Sequence, residues 1–132
     1  MNPEWDEELL RAAREVRARS HAPFSKFKVG AAIRDDAGRI FTGCNVENAS
    51  YGLTMCAERV AIFKAISEGA GKLERVAVVT DNNTLTPPCG ACRQLLWEFC
   101  RDAELVLANL SGQRERLRME QIFPRPFDDS SL

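Results

Sequence analysis

The chain has five cysteines, and three of them fall where a thiol can do chemistry. Thr86-Pro87-Pro88-Cys89-Gly90-Ala91-Cys92-Arg93-Gln94 is a proline-stiffened turn that delivers two thiols into the first turn of a predicted helix. Unpaired backbone N–H groups and the helix dipole favour the thiolate there. A Cys-x2-Cys pair so placed either holds a metal or cycles between dithiol and disulfide. Upstream, Met55-Cys56-Ala57-Glu58-Arg59 places a third cysteine at the opening of a second helix, with a carboxylate two residues on. Cys56, Cys89 and Cys92 together make the protein ligand count of a catalytic zinc site, one zinc ion per chain, with a fourth position open to water. Three thiolates make such a zinc a poor Lewis acid, so two positive helix ends and Arg59 are the available charge compensation. Glu58, near the ligands without being needed as one, is the candidate proton carrier.

Two rival readings use the same residues. A thiol–disulfide oxidoreductase built on Cys89 and Cys92 leaves Cys56-Ala57-Glu58 unexplained. A non-enzymatic zinc module takes a fourth sulfur from Cys44 or Cys100 and closes the metal to water. A water-accessible fourth position separates the enzyme from that module.

At 132 residues the chain is expected to form one domain, residues 1–132, large enough to bury a core. Its 45% hydrophobic and 28% charged residues are ordinary for a globular protein. A formal net charge of −1 offers no footprint for a nucleic-acid polymer, while a small neutral nucleoside stays compatible. No apolar run reaches the length of a membrane span, and Met1-Asn2-Pro3-Glu4-Trp5-Asp6 lacks a basic, hydrophobic signal. The expected location is cytoplasmic, where cysteines serve as ligands or core residues more readily than as disulfides.

The elements that must position these residues are legible from periodicity. Asp6 to Ser20 reads as an amphipathic helix whose arginines, Arg11, Arg14, Arg17 and Arg19, interleave with glutamates on a solvated face. Val29–Arg34 and Ile40–Val46 read as strands joined at Asp35-Asp36-Ala37-Gly38. The helix Ala57–Ser67 is apolar nearly all round and is expected to be buried centrally. Val76-Ala77-Val78-Val79 reads as a strand covered on both faces. After the cysteine turn, Cys92, Leu95, Leu96, Phe99 and Cys100 form one helical stripe, which makes Cys100 a core residue; Cys44, on a strand, is expected to be one too. Glu104–Ala108 is a further strand, Arg116–Met119 should return antiparallel to it, and a short helix follows near Glu120–Phe123. This order implies a three-layer α/β/α architecture around a mixed five-stranded sheet. The lone His21 is read as polar loop surface, and Phe24 as core.

Cys-Ala-Glu-Arg followed by Pro-Cys-Gly-Ala-Cys-Arg-Gln resembles the zinc-dependent cytidine deaminases of the small, homotetrameric, three-cysteine type. The resemblance extends to Ala22-Pro23-Phe24-Ser25-Lys26-Phe27-Lys28-Val29-Gly30-Ala31-Ala32 and to Gly43-Cys44-Asn45-Val46-Glu47-Asn48-Ala49. In the wider deaminase signature the first ligand is histidine; Cys56 stands in that place here, as is common in nucleoside deaminases. The resemblance implies a cytidine-deaminase-like fold and conversion of cytidine and 2′-deoxycytidine to uridine and 2′-deoxyuridine with release of ammonia, in pyrimidine salvage. A deaminase of a cytosine nucleoside antibiotic such as blasticidin S is the alternative within the family. It implies Asn45 and Glu47 as the pair that bonds the ribose, Phe27 as the aromatic against the pyrimidine, the backbone at Ala57 as partner of the base carbonyl, and Glu58 as the proton shuttle. It also implies a homotetramer in which Phe127 reaches a neighbouring subunit's site.

Overall fold

The computed structural model describes residues 6–132, so Met1–Trp5, part of the stretch read above as lacking a signal, lie outside it. In chain order the elements are α1 (Glu7–Arg17), β1 (Val29–Asp35), β2 (Ile40–Cys44), α2 (Ala57–Ser67), β3 (Leu73–Thr80), α3 (Gly90–Phe99), β4 (Glu104–Asn109), β5 (Arg114–Arg118) and α4 (Met119–Ile122). The strands form one sheet in the order β2-β1-β3-β4-β5. β1 runs antiparallel to both β2 and β3, β3 and β4 are parallel, and β5 returns antiparallel to β4. The parallel pair is the one joined through a helix, α3, as a crossover requires.

Both faces of the sheet are covered, and the strand sequences show it. Ala32, Ala77, Val79, Val106 and Ala108 pack with Leu9, Leu10 and Ala13 of α1. Their neighbours in the alternation, Ala31, Ile33, Val76, Val78, Leu105 and Leu107, pack with Ala61, Ile62 and Ala65 of α2 and Leu96 of α3. A strand buried on both sides reads as a continuous apolar run, which is why 76–79 has no polar alternation. α1 starts where Asp6 accepts a hydrogen bond from the Leu9 N–H at 3.1 Å.

Two glycines and one buried carboxylate hold the β1–β2 hairpin in place. Gly38 turns it with φ +83°. Asp35, fully buried, accepts from the backbone N–H groups of Ala37, Arg39 and Gly71 and pairs with the Arg39 guanidinium at 2.8 Å. Burial pushes its carboxyl up, but the hydrogen bonds from Arg39 and Gly71 prevail and hold it at about 2. At Gly43, an added Cβ would lie 2.5 Å from Ala57 O and from Ala61 N. β2 therefore touches the first turn of α2 backbone to backbone, which sets the height of Glu58 above the sheet.

Three expectations need correcting. α2 is not buried all round, because the sheet covers one side only: Phe63 and Ile66, three residues apart on the far face, are 46% and 45% exposed. Phe24 is not core but 52% exposed, at a turn, with its ring edge-on to Tyr51 at 6.3 Å between centroids. Cys44 is half-buried, because it sits on the sheet's edge strand at a position that alternates with the buried Gly43. Cys100 is core as expected, and burial pushes its thiol up to about 12.

Candidate active site

The site forms where two strand–loop–helix units bring their helix N-termini together. Cys56 is the N-cap residue of α2 and Cys89 that of α3, both in extended backbone conformation, and Cys92 lies in the first turn of α3. A capping residue points back over the end of its helix, so both thiols sit in the field of two converging positive ends. The three Sγ atoms lie within 4.8 Å of one another. Cys56 and Cys89 are 3.8 Å apart. Four ligands placed tetrahedrally about 2.3 Å from zinc are separated by about 3.8 Å, so this donor set fits the ion. Neither Cys44 nor Cys100 belongs to the cluster, so among the described residues nothing supplies the fourth sulfur of a closed module.

The charges around the thiols favour a cation. Cys56 is lowered to about 5, chiefly by a hydrogen bond from Cys92 and then by Arg59, whose Nη2 donates to its sulfur at 3.4 Å. Cys92, the donor in that bond and buried, is raised. One thiolate thus forms readily while Cys92 keeps its proton, which a divalent ion would displace. Arg59 is itself raised by its bond to Cys56, so it keeps its charge beside the cluster.

Glu58 points into a cavity of about 210 Å³ that it shares with Cys56, Ala57 and Cys89. It is 4% exposed, and burial, with the Cys56 charge adding to it, raises its carboxyl to about 7. A carboxyl poised there gains and loses a proton near neutrality, as a general acid–base must.

The same cavity is lined by Phe27, Asn45 and Glu47, so the residues expected to hold a nucleoside converge with the metal ligands. Asn45 is wedged between loop and strand: its Oδ1 accepts from the Val29 N–H at 2.8 Å and its Nδ2 donates to the Phe27 carbonyl at 2.7 Å. Glu47 accepts from the Phe24 and Ser25 N–H groups and from the Ser25 hydroxyl, and that hydroxyl bond is the first cause of its lowered pKa. Both side chains therefore also shape the turn that carries Phe27. His21 stays peripheral, exposed, with its backbone bridging to Asn45 and Glu47.

Cys92 and Arg59 stand at the thiol cluster without lining the cavity, and Phe127 belongs to neither. It is 60% exposed. The tail is held on α3 by Gln94 Nε2 donating to the Phe127 carbonyl at 2.8 Å and Trp97 Nε1 donating to Asp128 at 2.8 Å. The cavity also has walls that sequence reasoning passed over: Ser25, Thr54, Met55, Val78, Thr80, Thr86 and Pro87. Thr86 and Pro87 carried a signal in their place before Cys89, and Met55 in its place before Cys56.

Comparison with known proteins agrees with this geometry. Residues 3–108 match the family described as the cytidine and deoxycytidylate deaminase zinc-binding region. A cytidine deaminase of Sporosarcina psychrophila is 42% identical over 127 residues, which cover 96% of this chain and 93% of the relative. A probable cytidine deaminase of Dictyostelium discoideum is 41% identical over 133 positions, covering 100% of this chain and 90% of the relative. The crystal structure of cytidine deaminase from Burkholderia pseudomallei superposes with a TM-score of 0.89 at 42% identity, covering 96% of this chain and 100% of that one. The Mycobacterium tuberculosis cytidine deaminase superposes with a TM-score of 0.81 at 36% identity, covering 96% and 99%. With three thiols at two helix ends, a buried carboxyl beside them and this breadth of likeness, the chain belongs to the zinc-binding cytidine and deoxycytidylate deaminase family.

Proposed function

We propose that this chain is a cytidine deaminase: it converts cytidine and 2′-deoxycytidine to the corresponding uridines and releases ammonia. The observation that carries the reading is the cavity itself, which holds Glu58, Cys56 and Cys89 together with Asn45 and Glu47. Cys56, Cys89 and Cys92 would hold the zinc, which when bound would supply water acidic enough to act as a nucleophile at neutral pH. Glu58 takes the proton given up by the attacking water and passes it to ring nitrogen 3; it then takes the proton of the new hydroxyl on carbon 4 and delivers it to the amino group, which leaves as ammonia while the carbonyl forms. Arg59 offsets the thiolate charge, the Ala57 backbone meets the base carbonyl, and Phe27 packs against the ring. Asn45 and Glu47 bond the ribose hydroxyls with the capacity that their loop contacts leave over.

The lining also separates nucleoside from nucleotide, a choice the family description leaves open. Among the described residues no lysine, arginine or histidine lines the cavity, while two carboxylates do. A 5′-phosphate would meet negative charge with nothing to neutralise it. The test is loss of ultraviolet absorbance with cytidine, cytidine 5′-monophosphate and free cytosine. Cytidine should turn over, with the other two at least about 100-fold poorer in kcat/KM, since a site built to bond a hydroxyl rejects its absence strongly. Equal rates on cytosine would remove the sugar role of Asn45 and Glu47, and equal rates on the monophosphate would remove the nucleoside assignment.

The reading extends to a single catalytic domain over residues 1–132 and to a cytoplasmic role in pyrimidine salvage, which the free state of all five cysteines suits. It extends also to a homotetramer, for which the uncovered apolar face at Phe63 and Ile66 and the projecting Phe127 are the support. In that assembly Phe127 closes a neighbour's pyrimidine pocket. Phe127→Ala should then be impaired, and subunit exchange with Glu58→Gln should raise activity above the mean of the two parents. An impaired Phe127→Ala whose mixtures stay at that mean would take Phe127 out of the neighbour's site.

A further inference from the structure

Of the polar walls of the cavity that the reaction as described leaves unused, Thr80 is the one without a hydrogen-bond partner. It ends β3, directly after the β-branched run Val76–Val79. The residue is 2% exposed, and among the described residues its Oγ1 is one of two buried side-chain polar atoms with no hydrogen-bond partner. The other, Arg59 Nε, does not line the cavity, whereas Thr80 does, beside Val78, Ala57, Glu58, Cys56 and Cys89. Strand alternation explains the placement: residues 76, 78 and 80 share the face that looks toward α2 and α3.

No neighbour bonds this hydroxyl in the structure. In the sheet Thr80 lies between Val29 of β1 and Asn109 of β4. Asn109 is saturated, with Nδ2 donating to Asn82 O at 2.9 Å and Gln113 Oε1 at 2.7 Å, and Oδ1 accepting from the Ser111 and Gln113 N–H groups, both at 3.0 Å. The amide of Asn45 bonds Val29 and Phe27 rather than Thr80. Valine has the same shape as threonine and would bury here without a polar group to desolvate. A hydroxyl at this position is consistent with a partner that arrives from the cavity.

We propose that Thr80 is a substrate-contacting, specificity-determining residue whose hydroxyl bonds the polar edge of the pyrimidine base. This rests on the cytidine reading above. A hydroxyl suits the task because it rotates. It accepts from an amino group and donates to a carbonyl, and the base edge changes from the first to the second when cytidine becomes uridine.

The test compares Thr80→Val, which removes only the oxygen, with Thr80→Ser, which keeps it. KM for cytidine and the inhibition constant of uridine are measured alongside zinc content and thermal stability. Thr80→Val should hold zinc and weaken both cytidine and uridine by about tenfold, as loss of one hydrogen bond would. Thr80→Ser should stay within about twofold of the wild type. If Thr80→Val fails to fold, Thr80→Ala serves in its place against Thr80→Ser. A valine variant that binds both nucleosides as the wild type does, or a serine variant impaired as much as valine, overturns the assignment. A wild-type chain that neither turns over cytidine nor binds uridine overturns the functional reading and this assignment with it.

Discussion

Glu58→Gln should keep its fold and its zinc and lose turnover of cytidine by at least about 10²–10⁴-fold, the range of one general acid–base group. The loss should sit toward the upper end because one carboxyl serves several proton transfers in the proposed cycle. Glutamine has the same size and can still accept the bond that the residue's own backbone N–H makes to its side chain. The variant therefore removes the titratable proton and little else. At 4% exposure and with its carboxyl raised to about 7, Glu58 is tuned for protonation near neutrality rather than for a fixed negative charge. Metal analysis and a single-turnover assay on the same preparation check both halves of the expectation. A glutamine variant that retains zinc and more than about a tenth of the wild-type rate would exclude Glu58 as the shuttle, since that loss is smaller than general acid–base catalysis contributes.

The second large effect is on the metal. Cys56→Ala, Cys89→Ala and Cys92→Ala should each fall from about one zinc per chain to near none after dialysis against a chelator, because three protein ligands leave no spare. Cys44→Ala and Cys100→Ala should retain zinc, since neither sulfur belongs to the cluster. Cys100→Ala should instead cost stability, about 0.5–3 kcal/mol, as a substitution at a fully packed position. Zinc lost from Cys44→Ala together with the first three would favour the closed four-sulfur module and sink the catalytic reading of the metal. Activity is not needed to read the outcome, so the ligand set can be tested independently of the substrate.

The sequence alone determined what local chemistry and local periodicity can encode. Cys56, Cys89 and Cys92 each stand at a helix start, where capping rules make the position readable from a few neighbouring residues. The two-residue step from Cys56 to Glu58 puts the carboxyl beside the metal ligands but not among them. Apolar runs placed the first four strands, Gly38 marked the hairpin turn, and the short connection after β4 called for a fifth strand, expected at Arg116–Met119 and found at Arg114–Arg118. Other facts depend on what lies opposite a residue, and no window of sequence contains that. Periodicity could not say that α2 would leave Phe63 and Ile66 uncovered, because that depends on what packs over the helix's far side. From the sequence, Phe24 reads as core and Phe27 as the aromatic against the pyrimidine; Glu47 and Asn45, bonding the loop from a different strand end, decide that the first is exposed and the second lines the cavity. Thr80 falls just outside the strand read at Val76–Val79. Only the sheet order β2-β1-β3-β4-β5 sets it between Val29 and the saturated Asn109 and in one cavity with the Cys56 and Cys89 thiols, since proximity across strands is fixed by topology and not by spacing along the chain.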